Sequence, residues 1–146
     1  MDILSYNKAV LSANKLSQFL ESGADTKTIV LVLPKVTNLG AQSLVVQFPH
    51  DGKIVGVSVF CSKSGVNGDT EITIEKCPVD GYTGGEWTEI LSSPAVIPAN
   101  ELTSTADVSL VSNETINRFD YIRLNVSAVS EGAEGFTVQL TVKIYE

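Results

Sequence analysis

The chain reads as an all-β protein: an antiparallel, jelly-roll-like β-sandwich of about eight strands, preceded by one N-terminal α-helix. Three observations lead there. From Asp120 to Glu146, Ile122, Leu124, Val126 and Ala128 alternate with Tyr121, Arg123, Asn125 and Ser127; after a Gly-containing loop, Phe136, Val138, Leu140, Val142 and Ile144 alternate with Thr137, Gln139, Thr141, Lys143 and Tyr145. Successive strand side chains point to opposite faces, so each run has one apolar and one polar side, the pattern of antiparallel strands buried on one face. Shorter strand-like runs recur roughly every ten residues before this, punctuated by Gly, Pro, Asn and Asp. Helical spacing is confined to residues 2–21. The domain plan that follows is a helix and hinge over 1–25, for assembly or attachment, and a β-sandwich over 26–146.

The helix starts at a cap supplied by Asp2 or Ser5. Tyr6, Ala9, Ala13, Leu16 and Leu20 are spaced 3, 4, 3 and 4, the heptad spacing of a coiled-coil seam. Two readings are open: an amphipathic helix packed on its own domain, or a short seam that bundles with copies of itself. Its position alone ahead of an all-β chain favours the second. Ser22-Gly23-Ala24-Asp25 ends it as a hinge.

The expected strands run in order. Thr28 to Leu33 is closed by Pro34. Ser43 to Phe48 places Leu44, Val46 and Phe48 on one side, and Pro49-His50-Asp51-Gly52 turns the chain. Lys53 to Cys61 places Val55, Val57, Val59 and Cys61 on one face, and Asn67-Gly68 opens the next turn. Thr70 to Lys76 faces Ile72 and Ile74 inward. An irregular loop covers 78–85, and a short fifth strand, Glu86 to Leu91, centres on Trp87. Pro94 and Pro98 bracket a crossing segment. Ala106 to Val111 is the sixth strand, and the 121–144 runs close the fold as a hairpin through Gly132 and Gly135. An up-and-down barrel or another Greek-key order fits the same strand count.

Composition narrows the function. A net charge of −7 opposes nucleic-acid binding, which needs a basic stripe against phosphates. The N-terminus lacks the basic flank and apolar core of a signal peptide, and the longest apolar run, Ile29 to Leu33, is too short to cross a bilayer, so no membrane insertion is expected. Cys61 and Cys77 are then expected as free, apolar thiols rather than a disulfide.

The chain offers little catalytic chemistry. His50 sits alone in a turn, and the two cysteines lack histidine neighbours, so no zinc pattern is present. No phosphate loop and no Gly-x-Ser-x-Gly elbow occurs, and no cofactor is expected. Asn67-Gly68-Asp69 lacks the ligand series of a calcium loop. Asp80, Glu86 and Glu89 lie close to Trp87 in sequence; a carboxylate pair of glycosidase type has no motif, so a glycosidase stays open, against the plainer reading of solvated acids beside a core tryptophan. The polar strand faces are more informative. Trp87, Tyr82, Tyr121, Arg123, Gln139 and Tyr145 are the candidate face for a partner subunit or a glycan, although an ordinary wet sheet face has the same composition.

Several segments carry a resemblance. Gly52 to Val59, Gly68 to Ile74, Trp87 to Leu91, Ile97-Pro98-Ala99, Phe119 to Val126, Gly132 to Gly135 and Thr137 to Val142 together resemble the small β-sandwich modules of tailed-bacteriophage virions: tail-fibre, appendage and head-fibre proteins. The likeness covers about residues 50–146 and consists of strands and turns, with no ligand-binding residue in it. It implies a non-enzymatic virion component, assembled in the bacterial host cytoplasm, self-associated (usually as a trimer) with other virion proteins as partners, attached by its N-terminal part and displaying the sandwich. The alternative is a carbohydrate-binding or host-surface adhesion module.

Overall fold

The computed structural model of the protein describes residues 25–145. The helix expected over 2–21, with the seam residues Tyr6, Ala9, Ala13, Leu16 and Leu20, lies outside them. The described residues form β1 (Thr26–Leu33), β2 (Gly40–Gln47), β3 (Gly52–Lys63), β4 (Thr70–Cys77), β5 (Thr88–Glu89), β6 (Ala95–Ile97), β7 (Thr115–Ile116), β8 (Tyr121–Ala128) and β9 (Glu134–Ile144). Sheet I has the order β1-β9-β3-β7. Sheet II has the order β2-β8-β4-β5, with β6 also on β4. All pairings are antiparallel.

The two sheets form a sandwich because each strand carries one apolar face. Sheet I contributes Leu31, Ile54, Phe136, Val138, Leu140 and Val142; sheet II contributes Ile72, Ile74, Ile122, Leu124 and Val126, all of them buried. The faces read from the alternation of the last two strands are therefore the buried ones. Their expected pairing is not what forms. β8 sits between β2 and β4 in sheet II, and β9 sits between β1 and β3 in sheet I. The link between them crosses from one sheet to the other. Placed side by side in one sheet, the two apolar faces would need a further layer to cover them; placed opposite, they cover each other. The crossing link is held by the β3–β4 loop. Ser130 N–H donates to Thr70 Oγ1 at 2.9 Å, Ser130 Oγ donates to Asn67 O at 3.1 Å, and Val66 N–H donates to Glu131 O at 2.9 Å. Gly65 permits this closeness, since a Cβ there would stand 2.0 Å from Ser130 Oγ.

Four other expectations are corrected. The register of β3 against β9 shifts between Ile54 and Gly56, so Ile54 turns inward with Val57, Val59 and Cys61, while Val55 is thrown outward and is 40% exposed. Residues 106–111 form no strand. A 3₁₀ turn occupies Val108–Leu110, started by Asp107, whose Oδ1 accepts from Ser109 N–H at 2.8 Å; a side chain that satisfies local backbone in this way competes with a ladder. The fifth strand shrinks to Thr88–Glu89, and the Pro-bracketed crossing segment contains a strand of its own, β6. Cys61 lies in sheet I and Cys77 in sheet II, and both are free.

One end of the sandwich is closed by polar groups. Lys76 continues the inward parity of Ile72 and Ile74, and its ammonium donates to the carbonyls of Thr115 and, at 3.5 Å, Asn113. Asp120 is buried beside this end, and its Oδ2 accepts from Asn117 N–H at 2.9 Å. Burial pushes the Asp120 carboxyl above the usual carboxylate range, with Asp51 adding to it, against the Asn117 N–H and the charge of Lys76. Burial pushes the Lys76 ammonium down, against the attraction of Asp120.

Leu124→Ala and Leu140→Ala should each cost about 2–5 kcal/mol, since both side chains are fully buried on opposed faces; urea unfolding measures it. Asp120 gives a pH signature. Its folded carboxyl keeps a proton to higher pH than the unfolded one, so its contribution to stability falls as pH rises from the ordinary carboxylate pKa to the raised folded one. The unfolding free energy of wild type minus that of Asp120→Asn should therefore decrease with pH across that window; a flat or rising difference would refute the assignment.

Candidate recognition face

The outer side of sheet II is built from alternate residues of β4 and β8. Their register sets Cys77 against Tyr121, Glu75 against Arg123 and Thr73 against Asn125. These positions have the parity opposite to Ile74 and Leu124, so their side chains leave the core. Arg123 Nε donates to Glu75 Oε1 at 2.7 Å; the two side chains are 23% and 12% exposed. Directly opposed charges on neighbouring strands are the favourable cross-strand arrangement.

Over one end of this face the β4–β5 loop folds back. Pro78 leads into a 3₁₀ turn at Val79–Gly81, with Gly81 N–H donating to Pro78 O at 3.0 Å. Glu86 N–H then returns to Gly81 O at 3.2 Å and Trp87 N–H to Gly85 O at 2.9 Å. Gly85, at φ +68, takes the left-handed conformation this path needs, and a Cβ on Gly81 would crowd the Glu86 side chain, 2.4 Å from Oε2 and 3.1 Å from Cβ. The fold-back buries Cys77 and brings Tyr82 flat against Tyr121, with ring centroids 3.9 Å apart and planes 18° apart. Trp87 meets Tyr82 edge to face at 6.0 Å and 70°. The Arg123 guanidinium lies over the Trp87 ring, Cζ 4.0 Å from its centroid. Tyr121, Tyr82, Trp87, Arg123 and Glu75 thus form one continuous contact chain.

Of the six residues proposed for a partner or glycan face, four meet here: Tyr82, Trp87, Tyr121 and Arg123. Gln139 and Tyr145 do not. Gln139 stands on the outer side of sheet I between Val30 and Ser58, and Tyr145 follows the end of β9, its N–H donating to Asp51 O at 2.9 Å. The hairpin expectation puts Tyr121, Arg123, Gln139 and Tyr145 on one outer face; the crossing of β9 to the other sheet separates them. Glu75 was missed: by itself it reads as one more polar strand residue. The signal that could have found it is the shared outward parity of Glu75 in β4 and Arg123 in β8.

The chemistry of the face is stacking and hydrogen bonding. Trp87 is partly exposed, contrary to the reading of a core tryptophan. The Cys77 thiol is pushed up by burial first of all, so it stays protonated and fills space beneath the loop. Cys61 behaves alike, burial raising its thiol. His50 packs edge to face on Phe48 at 5.6 Å. Among the described residues no group of three or more His, Cys, Asp or Glu side chains could hold a metal ion. A comparison of the chain with family models, curated proteins and solved structures returns no match.

The Arg123–Glu75 pair should behave as a structural ion pair. A double-mutant cycle with Arg123→Met and Glu75→Gln should give a coupling energy of about 1–2 kcal/mol, the range of a charged hydrogen bond discounted for partial exposure. The exposed Lys53–Glu114 pair, at 3.6 Å, should give less than about 1 kcal/mol in the same measurement.

Proposed function

We propose that the chain is a non-enzymatic structural component of a tailed-bacteriophage virion, a fibre, appendage or decoration subunit that associates with copies of itself as a trimer and displays the β-sandwich. The virion setting comes from the resemblance over about residues 50–146, and the strand orders β1-β9-β3-β7 and β2-β8-β4-β5 accord with a jelly roll of two interleaved Greek keys. Assembly would take place in the host cytoplasm, with other virion proteins as further partners.

The observation that carries self-association is the outer side of sheet I. Cross-strand rows there read Thr28, Thr141, Gly56; then Val30, Gln139, Ser58; then Val32, Thr137, Phe60. None of these residues is charged; the next row, Thr26, Lys143 and Lys53, places two lysines at one end of the face. Val30 and Val32 are 46% and 48% exposed on β1, an eight-residue edge strand with no register shift, and no further strand pairs with it among the described residues. A long, regular edge with two exposed valines, next to a face that is uncharged over these three rows, invites pairing unless something covers it. Copies of the same chain around a symmetry axis would cover it.

Light scattering on the eluting 146-residue chain tests this. A trimer is expected at micromolar concentration, and Val30→Asp with Val32→Asp should shift it toward monomer while the far-ultraviolet spectrum stays that of a β protein. A wild-type monomer would overturn the assembly reading. Mass spectrometry of purified phage particles tests the setting, with the chain expected in multiples of three copies.

A further inference from the structure

We propose that the aromatic cluster on sheet II is a carbohydrate-binding platform that stacks a neutral, β-linked, gluco-configured sugar ring on the free face of Tyr82, with Trp87 bordering it. The site is on the sheet opposite the one argued to assemble, and it does not depend on that assembly.

Geometry is the first support. Tyr82 is covered on one face by Tyr121 and is still 39% exposed, so the exposure belongs largely to its other face and rim. An exposed tyrosine on a loop would ordinarily rotate freely. Here the ring is backed by a second ring at 3.9 Å, bordered by a third at 6.0 Å, and carried on a loop closed by its own backbone hydrogen bonds. A fixed, outward π surface suits a ligand that is flat and rigid. The negative face of an aromatic ring attracts weakly positive C–H groups. A β-linked gluco-configured pyranose presents its ring C–H bonds axially, on flat faces, and its hydroxyls around the rim.

Electrostatics selects among ligands that stack. Arg123 is engaged by Glu75 and by the Trp87 ring, so its charge is already matched. Asp80, Glu86 and Glu89 are exposed on the same loop and its continuation, and the whole chain carries −7. Nucleic acid and anionic polysaccharide would meet repulsion there. Sugar hydroxyls, which are donors, would instead find carboxylate acceptors. A proline-rich peptide also docks on aromatic rings, but it needs a groove between them, and the two tyrosines here are in contact.

The test uses the 146-residue chain and its single tryptophan. Cellotetraose and chitotetraose are titrated while Trp87 fluorescence is followed, with polygalacturonate and a polyproline peptide run in parallel. Saturable binding of at least one tetrasaccharide is expected, with a dissociation constant below about 10 mM. Tyr82→Ala should weaken it by about tenfold or more, and Tyr82→Phe, which keeps the stacking face, should retain it; thermal unfolding of each variant checks that the fold is kept. No tetrasaccharide signal up to that concentration overturns the proposal. So does unchanged binding in Tyr82→Ala, or a response to polygalacturonate or polyproline alone. Repeating the titration on Val30→Asp/Val32→Asp separates this reading from the assembly one: binding should persist whether or not the copies separate.

Discussion

The contact on which the structure depends is the packing of β8 against β9 across the sandwich. Each is the inner strand of its sheet, with a neighbour on both sides, and each gives an unbroken row of fully buried side chains. Among the described residues, Ile122, Leu124 and Val126 have no other apolar layer to face, and neither have Phe136, Val138, Leu140 and Val142. Burying both rows at once forces the chain to cross between sheets at the 129–133 link. The crossing in turn demands hydrogen bonds for a link that leaves the ladder, and Thr70, Asn67 and Ser130 supply them. With the two central strands placed, β1 and β3 flank one of them and β2 and β4 the other, and the remaining short strands fill in against β3 and β4.

Alternation reports which side of a strand is buried, and it did so well in this sequence. It does not report which strand lies alongside. The inner faces of β8 and β9 were therefore legible while their pairing was not, because a hairpin and a face-to-face pair have the same period. Val55 shows a second limit: an inserted residue reverses the inward parity from one side of the bulge to the other, and nothing local distinguishes Val55 from Val57. At 106–111 the β-formers Val108 and Val111 suggested a strand, whereas Asp107, a strong local cap, decided the outcome. β6 was hidden between two prolines, although three residues suffice for its ladder with β4. The recognition face was legible in part for a related reason. Tyr121 and Arg123 declared themselves by parity, and Tyr82 and Trp87 by being aromatic in a Gly-rich loop. That the loop folds back onto β8 is a tertiary fact, settled by backbone hydrogen bonds and by the left-handed turn at Gly85.

The two outer faces have different chemistry, and the difference bears on how such a chain would work. The outer side of sheet I is uncharged over its three central rows, with Lys53 and Lys143 in the row at one end, and it is bordered by β1, whose Val30 and Val32 are exposed. Sheet II carries an ion pair, a cation–π contact and two stacked tyrosines, partly roofed by a loop. A face meant to be covered by a copy gains from lacking charge, because charges would have to be desolvated on association. A face meant to stay in solvent can carry charges at little cost and use them to hold aromatic rings in place. Assembly through sheet I would leave sheet II pointing away from the contact, repeated once per copy. Weak single-site affinity would then add up through multivalency, which is the regime in which a shallow platform is sufficient.

The loop over sheet II also bears on what such a platform costs. Ordering a ten-residue connection opposes folding by roughly 1–2 kcal/mol of backbone entropy per residue, and a loop left to order on ligand contact would subtract that from binding. Here the ordering is done within the fold. Glu86 closes onto Gly81, Trp87 is pinned beneath Arg123, and Arg123 is itself fixed by Glu75 in the middle of β4. Tyr82 stands between Trp87 and Tyr121 in this chain of contacts and is the member with a face to spare. Its orientation is thus inherited, through Trp87, Arg123 and Glu75, from the β4–β8 register, and that register is set by the same alternation that buries Ile74 and Leu124. The core and the recognition face are two sides of one pairing.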